Sequence, residues 1–143
     1  MRLAAELGIS PQSLDRNAMD IAKEFRRIYI GDSVISRVEI DIRSDRCTFD
    51  LNGASLLSDG PNASIFEPEE RYEPASLSFT GALSISCPEG KFCLHSTIVD
   101  FEAVPAENGL ITFRLEMTGG YDENTFKRSL VIEARDFSLT QGA

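Results

Sequence analysis

The first hydrophobic pattern in the chain has the 3.6-residue period of an amphipathic helix. Ser10 and Pro11 fit the N-cap and the first helical position, and Gly31 fits a C-terminal stop. These positions predict a helix over 11–30, with residues 1–10 forming a frayed tail or a short extra helix. The apolar stripe of this helix consists of Leu14, Ala18, Ile21, Ala22, Phe25 and Ile28.

From residue 33 onward the apolar positions alternate with polar ones, as is typical of half-buried β-strands. The strand of residues 75–87 is the longest, and parity changes beyond Ser96 and between Ile132 and Phe137 indicate irregular strands, the first a β-bulge. The predicted inward positions are Val34, Ser36, Val38, Ile40 and Ile42, then Cys47, Phe49 and Leu51, then alternate residues of 75–87, and finally Ile111, Phe113, Leu115 and Met117.

Short polar turns such as Pro88-Glu89-Gly90 and Glu107-Asn108-Gly109 join these strands and favour an antiparallel meander. We therefore expect a mainly β fold, α+β at the margin, in which the helix precedes six to seven antiparallel strands over 33–140. A sheet of this size commonly splits or bends, so a sandwich or a strongly bent sheet is predicted. The 143 residues suit a single domain.

The charge balance narrows the class of partner. Fourteen Lys and Arg stand against 23 Asp and Glu, a formal charge of −9. This charge disfavours nucleic acid and anionic membranes and favours a basic protein, although acidity also serves solubility alone. Three cysteines without a CxxC motif, no signal peptide and no apolar run of about 20 residues predict a cytoplasmic protein.

Motifs with a known mechanism are absent from the sequence. It contains no GxGxxG, GxxxxGK[ST], HExxH or GxSxG, so we expect no cofactor, no metal site and no enzyme. A remote alternative is a cysteine-dependent enzyme using Cys93 and His95, which a hairpin would place on one strand face with His95 opposite Ser84. The other interpretation is an exposed histidine beside an inert cysteine.

Residues 66–73, here named the acidic segment, are the leading candidate for partner binding. Prolines stiffen it, aromatic and Arg side chains are common interface anchors, and glutamates would select a basic partner. A second acidic tip lies at 119–124. The candidate residues are Phe66, Glu67, Glu69, Glu70, Arg71, Tyr72 and Glu73, with Tyr121, Asp122 and Glu123 from the tip. The alternative for the acidic segment is a solvated loop whose aromatics cover the core edge.

These features predict a non-enzymatic interaction module that binds a basic protein. By general analogy alone, the type is shared by many bacterial proteins and by some immunity proteins that neutralise basic toxins. An alternative is a carrier of a small hydrophobic ligand between the sheets, lined by some of the nine Phe. A homodimer through a sheet edge or through the Ser76–Ser86 face is also open.

Overall fold

The computed structural model describes residues 17–90, 92, 94–120 and 125–142. Within these residues one helix, α1 (Ala18–Phe25), precedes eleven strands, and all strand pairings are antiparallel. A short 3₁₀ turn, Glu107–Gly109, joins two of them. The strands are β1 (Ile28–Tyr29), β2 (Ile35–Asp41), β3 (Arg46–Leu51), β4 (Ala54–Leu56), β5 (Glu70–Tyr72), β6 (Ala75–Thr80), β7 (Ser84–Ser86), β8 (Thr97–Pro105), β9 (Ile111–Gly119), β10 (Phe126–Ala134) and β11 (Asp136–Gln141).

Two four-stranded sheets form the body of the fold, with strand orders β7-β10-β9-β8 and β11-β6-β3-β2. Their inner faces meet directly, since the rings of Phe79 in β6 and Phe113 in β9 lie 4.8 Å apart between centroids. Both rings are fully buried. A third sheet has the order β1-β4-β5. The expected class, a mainly β antiparallel fold of sandwich type that follows an N-terminal helix, is therefore confirmed.

Helix α1 closes one side of the sandwich. It contacts β8 and β11, which are edge strands of the two different large sheets. Its apolar stripe buries Ile21, Ala22 and Phe25, as the period predicts. The Phe25 ring lies 5.0 Å from that of Phe113 and 5.1 Å from that of Phe137. No helix in the described residues is long and apolar enough to cross a membrane.

The predicted helix does not run without interruption from residue 11 to residue 30. Asn17 has extended backbone angles, and its side chain accepts a hydrogen bond from the Asp20 amide at 3.0 Å, so it caps a helix that starts at Ala18. The helix ends at Phe25 because Ile28 and Tyr29 pair with β4 instead. Gly31 is therefore not the helix stop, and residues 1–16 of the prediction lie outside the described residues.

The single strand predicted over 75–87 is divided. Gly81 and Ala82 have φ angles of +86° and +50°, which break the extended conformation. As a result β6 and β7 belong to different sheets, and Ser76 and Ser86 do not share one continuous face. The last predicted strand is also divided, at Arg135, into β10 and β11, which belong to different sheets. These divisions make the number of strands larger than the six to seven predicted. A homodimer through a free sheet edge stays a prediction.

Inward positions are confirmed in β3 and β9 and only in part in β2, where Val38 packs against the core but Ser36 is exposed. The register shifts between Ile35 and Arg37, and Ile35 rather than Val34 is fully buried. Beyond the shift Ile40 is 58% exposed, and Ile42, in the turn that follows, is 89% exposed. The bulge expected beyond Ser96 exists, but it lies between Ile98 and Asp100.

Candidate functional site

The small sheet presents two chemically different faces. Strand pairing sets Tyr29 beside Ser55 and Ser55 beside Arg71, so these three residues form a row across one face. Because successive residues of a strand point to opposite sides, the neighbouring residues Ile28, Ala54, Leu56, Glu70 and Tyr72 lie on the other face.

The first face borders an open groove with a volume of about 670 Å³, here named the polar groove. Its walls come from three separate parts of the chain: the turn after β1, the connection between β3 and β4, and the acidic segment with the residues beside it. The side chains that give it its character are Tyr29, Asp32, Ser55, Phe66, Arg71 and Glu73. The groove therefore combines aromatic and charged groups at one surface.

Local hydrogen bonds hold the floor of the polar groove. The Asp32 amide, at a residue with φ of +65°, donates to the Ile98 carbonyl at 2.8 Å. The Asn52 carboxamide oxygen accepts from the Val34 amide at 2.8 Å. At Gly31 a Cβ atom would lie 2.7 Å from the Tyr29 hydroxyl oxygen, so a larger residue there would displace the ring from this position. The groove is thus largely formed before any ligand arrives.

Charged and apolar groups lie together at the rim. Phe66 is 84% exposed, and the adjacent Ile65 is also exposed. Asp32 and Glu73 are exposed carboxylates, and Arg71 is an exposed cation. In the described part of the chain no salt bridge holds any of these three charges. They are available to a ligand, and together they leave the groove with an excess of negative charge.

The acidic segment is not one uniform loop. Phe66, Arg71 and Glu73 line the polar groove. Glu69 instead receives the Arg27 guanidinium at 3.1 Å, and its amide donates to the Leu56 carbonyl at 2.8 Å. Glu69 therefore anchors the segment to the body of the protein.

Two further predicted residues lie on the opposite face of β5. Tyr72 is half-buried against the core. Burial raises the pKa of Tyr72, and the Glu70 carboxylate that accepts a hydrogen bond from its hydroxyl raises that pKa further.

Glu67 is exposed and lies outside the groove lining. Tyr121, Asp122 and Glu123 lie outside the described residues.

The sequence interpretation did not include Tyr29, Asp32 and Ser55 in the site. The predicted helix includes Tyr29, whereas in the structure this residue belongs to β1, next to the turn that forms one wall of the groove. A signal was present: the run Ile28-Tyr29-Ile30 is rich in strand-forming residues, and Gly31-Asp32 follows as turn chemistry.

The hairpin register on which the remote cysteine-enzyme alternative relied is not formed. Ser84 pairs with Glu133 in β10 rather than with His95, so the predicted hairpin is wrong. His95 is an exposed turn residue with φ of +65°, and its amide donates to the Ile35 carbonyl at 2.7 Å. Cys93 lies outside the described residues. Burial raises the pKa of the Cys47 thiol to about 11, which keeps it protonated near neutral pH.

In the part of the chain that the structure describes, no three or more His, Cys, Asp or Glu side chains are grouped so that they could hold a metal ion. Comparison of the chain with protein-family models and with curated proteins finds no match. The geometry and charge of the polar groove therefore carry the functional proposal.

Proposed function

We propose that this chain is a cytoplasmic, non-enzymatic protein-interaction module, and that it binds a basic protein through the polar groove and the adjacent acidic segment. The observation that carries the proposal is Phe66, a large aromatic side chain left 84% exposed at the rim of a groove that also bears exposed carboxylates. Aromatic anchors within a polar rim are typical of protein interfaces.

The aromatic anchor supplies affinity. Covering a Phe side chain contributes about 1.5–3 kcal/mol. The residues that follow Phe66 are held by the Arg27–Glu69 pair and by the pairing of β5 with β4. Because these contacts already order the segment, little conformational entropy remains to be lost when a partner docks.

The charges supply selectivity for a basic partner. The whole chain carries a formal net charge of −9. Three exposed carboxylates lie near Phe66: Glu67 follows it in the sequence, and Glu73 and Asp32 line the same groove. A field of this sign attracts a basic protein and raises its association rate, and the gain is lost at high salt because ions screen it.

The test is an affinity capture from native lysate at low and high salt, read by mass spectrometry, and then repeated with two variants. Phe66→Ala removes the anchor, and Glu73→Lys reverses a groove charge without touching the Glu69 contact. Glu107→Lys makes the same charge change in the remote 3₁₀ turn and serves as the control. We expect a stoichiometric basic protein that is lost at high salt and in both groove variants, and kept by the control.

Two results would contradict the proposal. If the captured protein stays bound to both groove variants, the groove is not the contact surface. If nothing is captured at either salt concentration, the basic-partner function itself fails.

A further inference from the structure

The side of the sandwich opposite α1 remains open. It lies between β2 and β7, the remaining edge strands of the two large sheets. Here a cleft of about 240 Å³ runs between the sheets, lined mainly by the apolar side chains Val38, Ile40, Phe49, Ile85, Phe92 and Leu130. We name it the apolar cleft. It shares no lining residue with the polar groove.

A cationic side chain stands next to this cleft on the same strand face. In β10 Leu130 and Ile132 are buried against the opposite sheet, and the period of two places Arg128 on the same side. Arg128 is therefore one inward position, roughly 7 Å along the strand, from the cleft residue Leu130. Its guanidinium carbon lies 4.8 Å from the centroid of the Phe126 ring.

Arg128 has unused hydrogen-bonding capacity. Its Nε atom is buried and finds no acceptor within the described residues. One terminal nitrogen donates to the Lys127 carbonyl at 3.1 Å. The nearby Glu89 carboxylate accepts the Ser129 amide at 2.7 Å, and among the described residues no ion pair joins it to Arg128. That hydrogen bond, with a smaller contribution from the charge of Arg128, lowers the pKa of Glu89.

An apolar cleft with a cation of unused hydrogen-bonding capacity one inward position further along β10 is complementary to an anionic amphiphile. We infer that the apolar cleft binds a free medium-chain alkyl carboxylate, with the alkyl chain between β2 and β7 and the carboxylate on the Arg128 guanidinium. At about 30 Å³ for each water-sized group, the cleft volume accommodates a chain of about eight carbons. Arginine suits this role because its planar fork matches a carboxylate.

The inference goes beyond the basic-partner proposal and concerns a separate surface, so either one can fail without the other. It is tested by titrating the full chain with octanoate, with octan-1-ol and octylamine as neutral and cationic probes of the same length. Backbone amide NMR shifts give both the location and the affinity. We expect octanoate to shift amides of β2, β7 and β10 and to bind about tenfold or more tighter than octan-1-ol.

Variants separate the headgroup from the chain. Arg128→Gln should weaken octanoate by about tenfold or more and leave octan-1-ol unchanged, while Arg128→Lys should keep part of the preference. Arg114→Gln is the matched control, since Arg114 is an exposed β9 residue that pairs with Glu102 at 3.6 Å. Ile40→Asp changes a residue that is already exposed and should weaken both ligands.

Three outcomes would overturn the inference. Octanoate shifts confined to other strands, or no shift below its micelle-forming concentration, would remove the cleft as the site. Equal affinity for octanoate, octan-1-ol and octylamine would remove the carboxylate preference. An Arg128→Gln variant that binds octanoate as the parent does, with an intact fold by circular dichroism, would remove Arg128.

Discussion

Replacing Phe25 with alanine tests whether α1 is what holds the closed side of the sandwich together. The ring is fully buried and contacts four other aromatic rings, with centroid distances between 5.0 and 6.4 Å. Removing a core Phe costs about 3–5 kcal/mol, and well-oriented aromatic pairs each contribute about 0.5–1.5 kcal/mol beyond their buried area. We therefore expect a loss at the upper end, about 4–5 kcal/mol.

The assay is equilibrium unfolding in urea, followed by circular dichroism. Met19→Ala is the control, because Met19 belongs to the same helix but is 69% exposed, and its substitution should change stability by at most about 0.5 kcal/mol. Phe25→Leu retains an apolar side chain and should lose less than the alanine variant, so the comparison survives if Phe25→Ala does not fold. A loss below about 1 kcal/mol for Phe25→Ala, with an unchanged m-value, would refute the role given to this side chain.

Three further predictions concern the backbone and a buried thiol. Gly81→Ala should lower the free energy of unfolding by about 1–3 kcal/mol, because φ is +86° and the new Cβ would lie 2.9 Å from the Cβ of Arg135; an unchanged melting temperature would contradict this. Cys47, whose folded pKa is raised from 9.0 to about 11, should label with iodoacetamide far more slowly than the half-buried Cys87; equal labelling rates by peptide mass spectrometry would contradict its burial. The folded state holds the Cys47 proton to higher pH than the unfolded state does. The contribution of Cys47 to the free energy of unfolding is therefore complete below pH 9 and is lost as pH rises toward 11. In Cys47→Ala, the free energy of unfolding measured by denaturant titration should decline less steeply over that pH range.

Alternation predicted the buried faces of β3 and β9 because each strand has a neighbour on both sides. The inner face of such a strand is covered along its whole length, so every second apolar residue is buried. Strand β2 has a neighbour on one side only and borders the open side of the sandwich. Its apolar residue Ile40 therefore stays exposed although it fits the same pattern. A period of two reports which face a residue is on, and it does not report whether that face is covered.

The helix is confirmed by the structure, but its predicted C-terminal end is wrong, for a related reason. Ile21 and Phe25 fix the stripe, and Ile28 continues it at the next helical position. In the fold Ile28 is just as buried but belongs to a two-residue strand. Two residues are too few to show a period, so only the pairing of β1 with β4, more than 20 residues away in the sequence, decides the structure there.

Composition correctly marked the acidic segment as exposed and charged, but it treated the segment as a single surface. The pairing of β5 with β4 sends Arg71 and Tyr72 to opposite faces, and the contact between Arg27 and Glu69 spans 42 residues. Neither relation is visible in a local pattern. Neighbouring residues of the acidic segment therefore have different contacts. Glu69 binds the body of the protein, whereas Glu73 and Phe66 stay exposed at the groove. The pairing of β5 with β4 supplies most of the order of this surface, and the exposed Arg27–Glu69 pair, typically worth at most about 1 kcal/mol, adds to it.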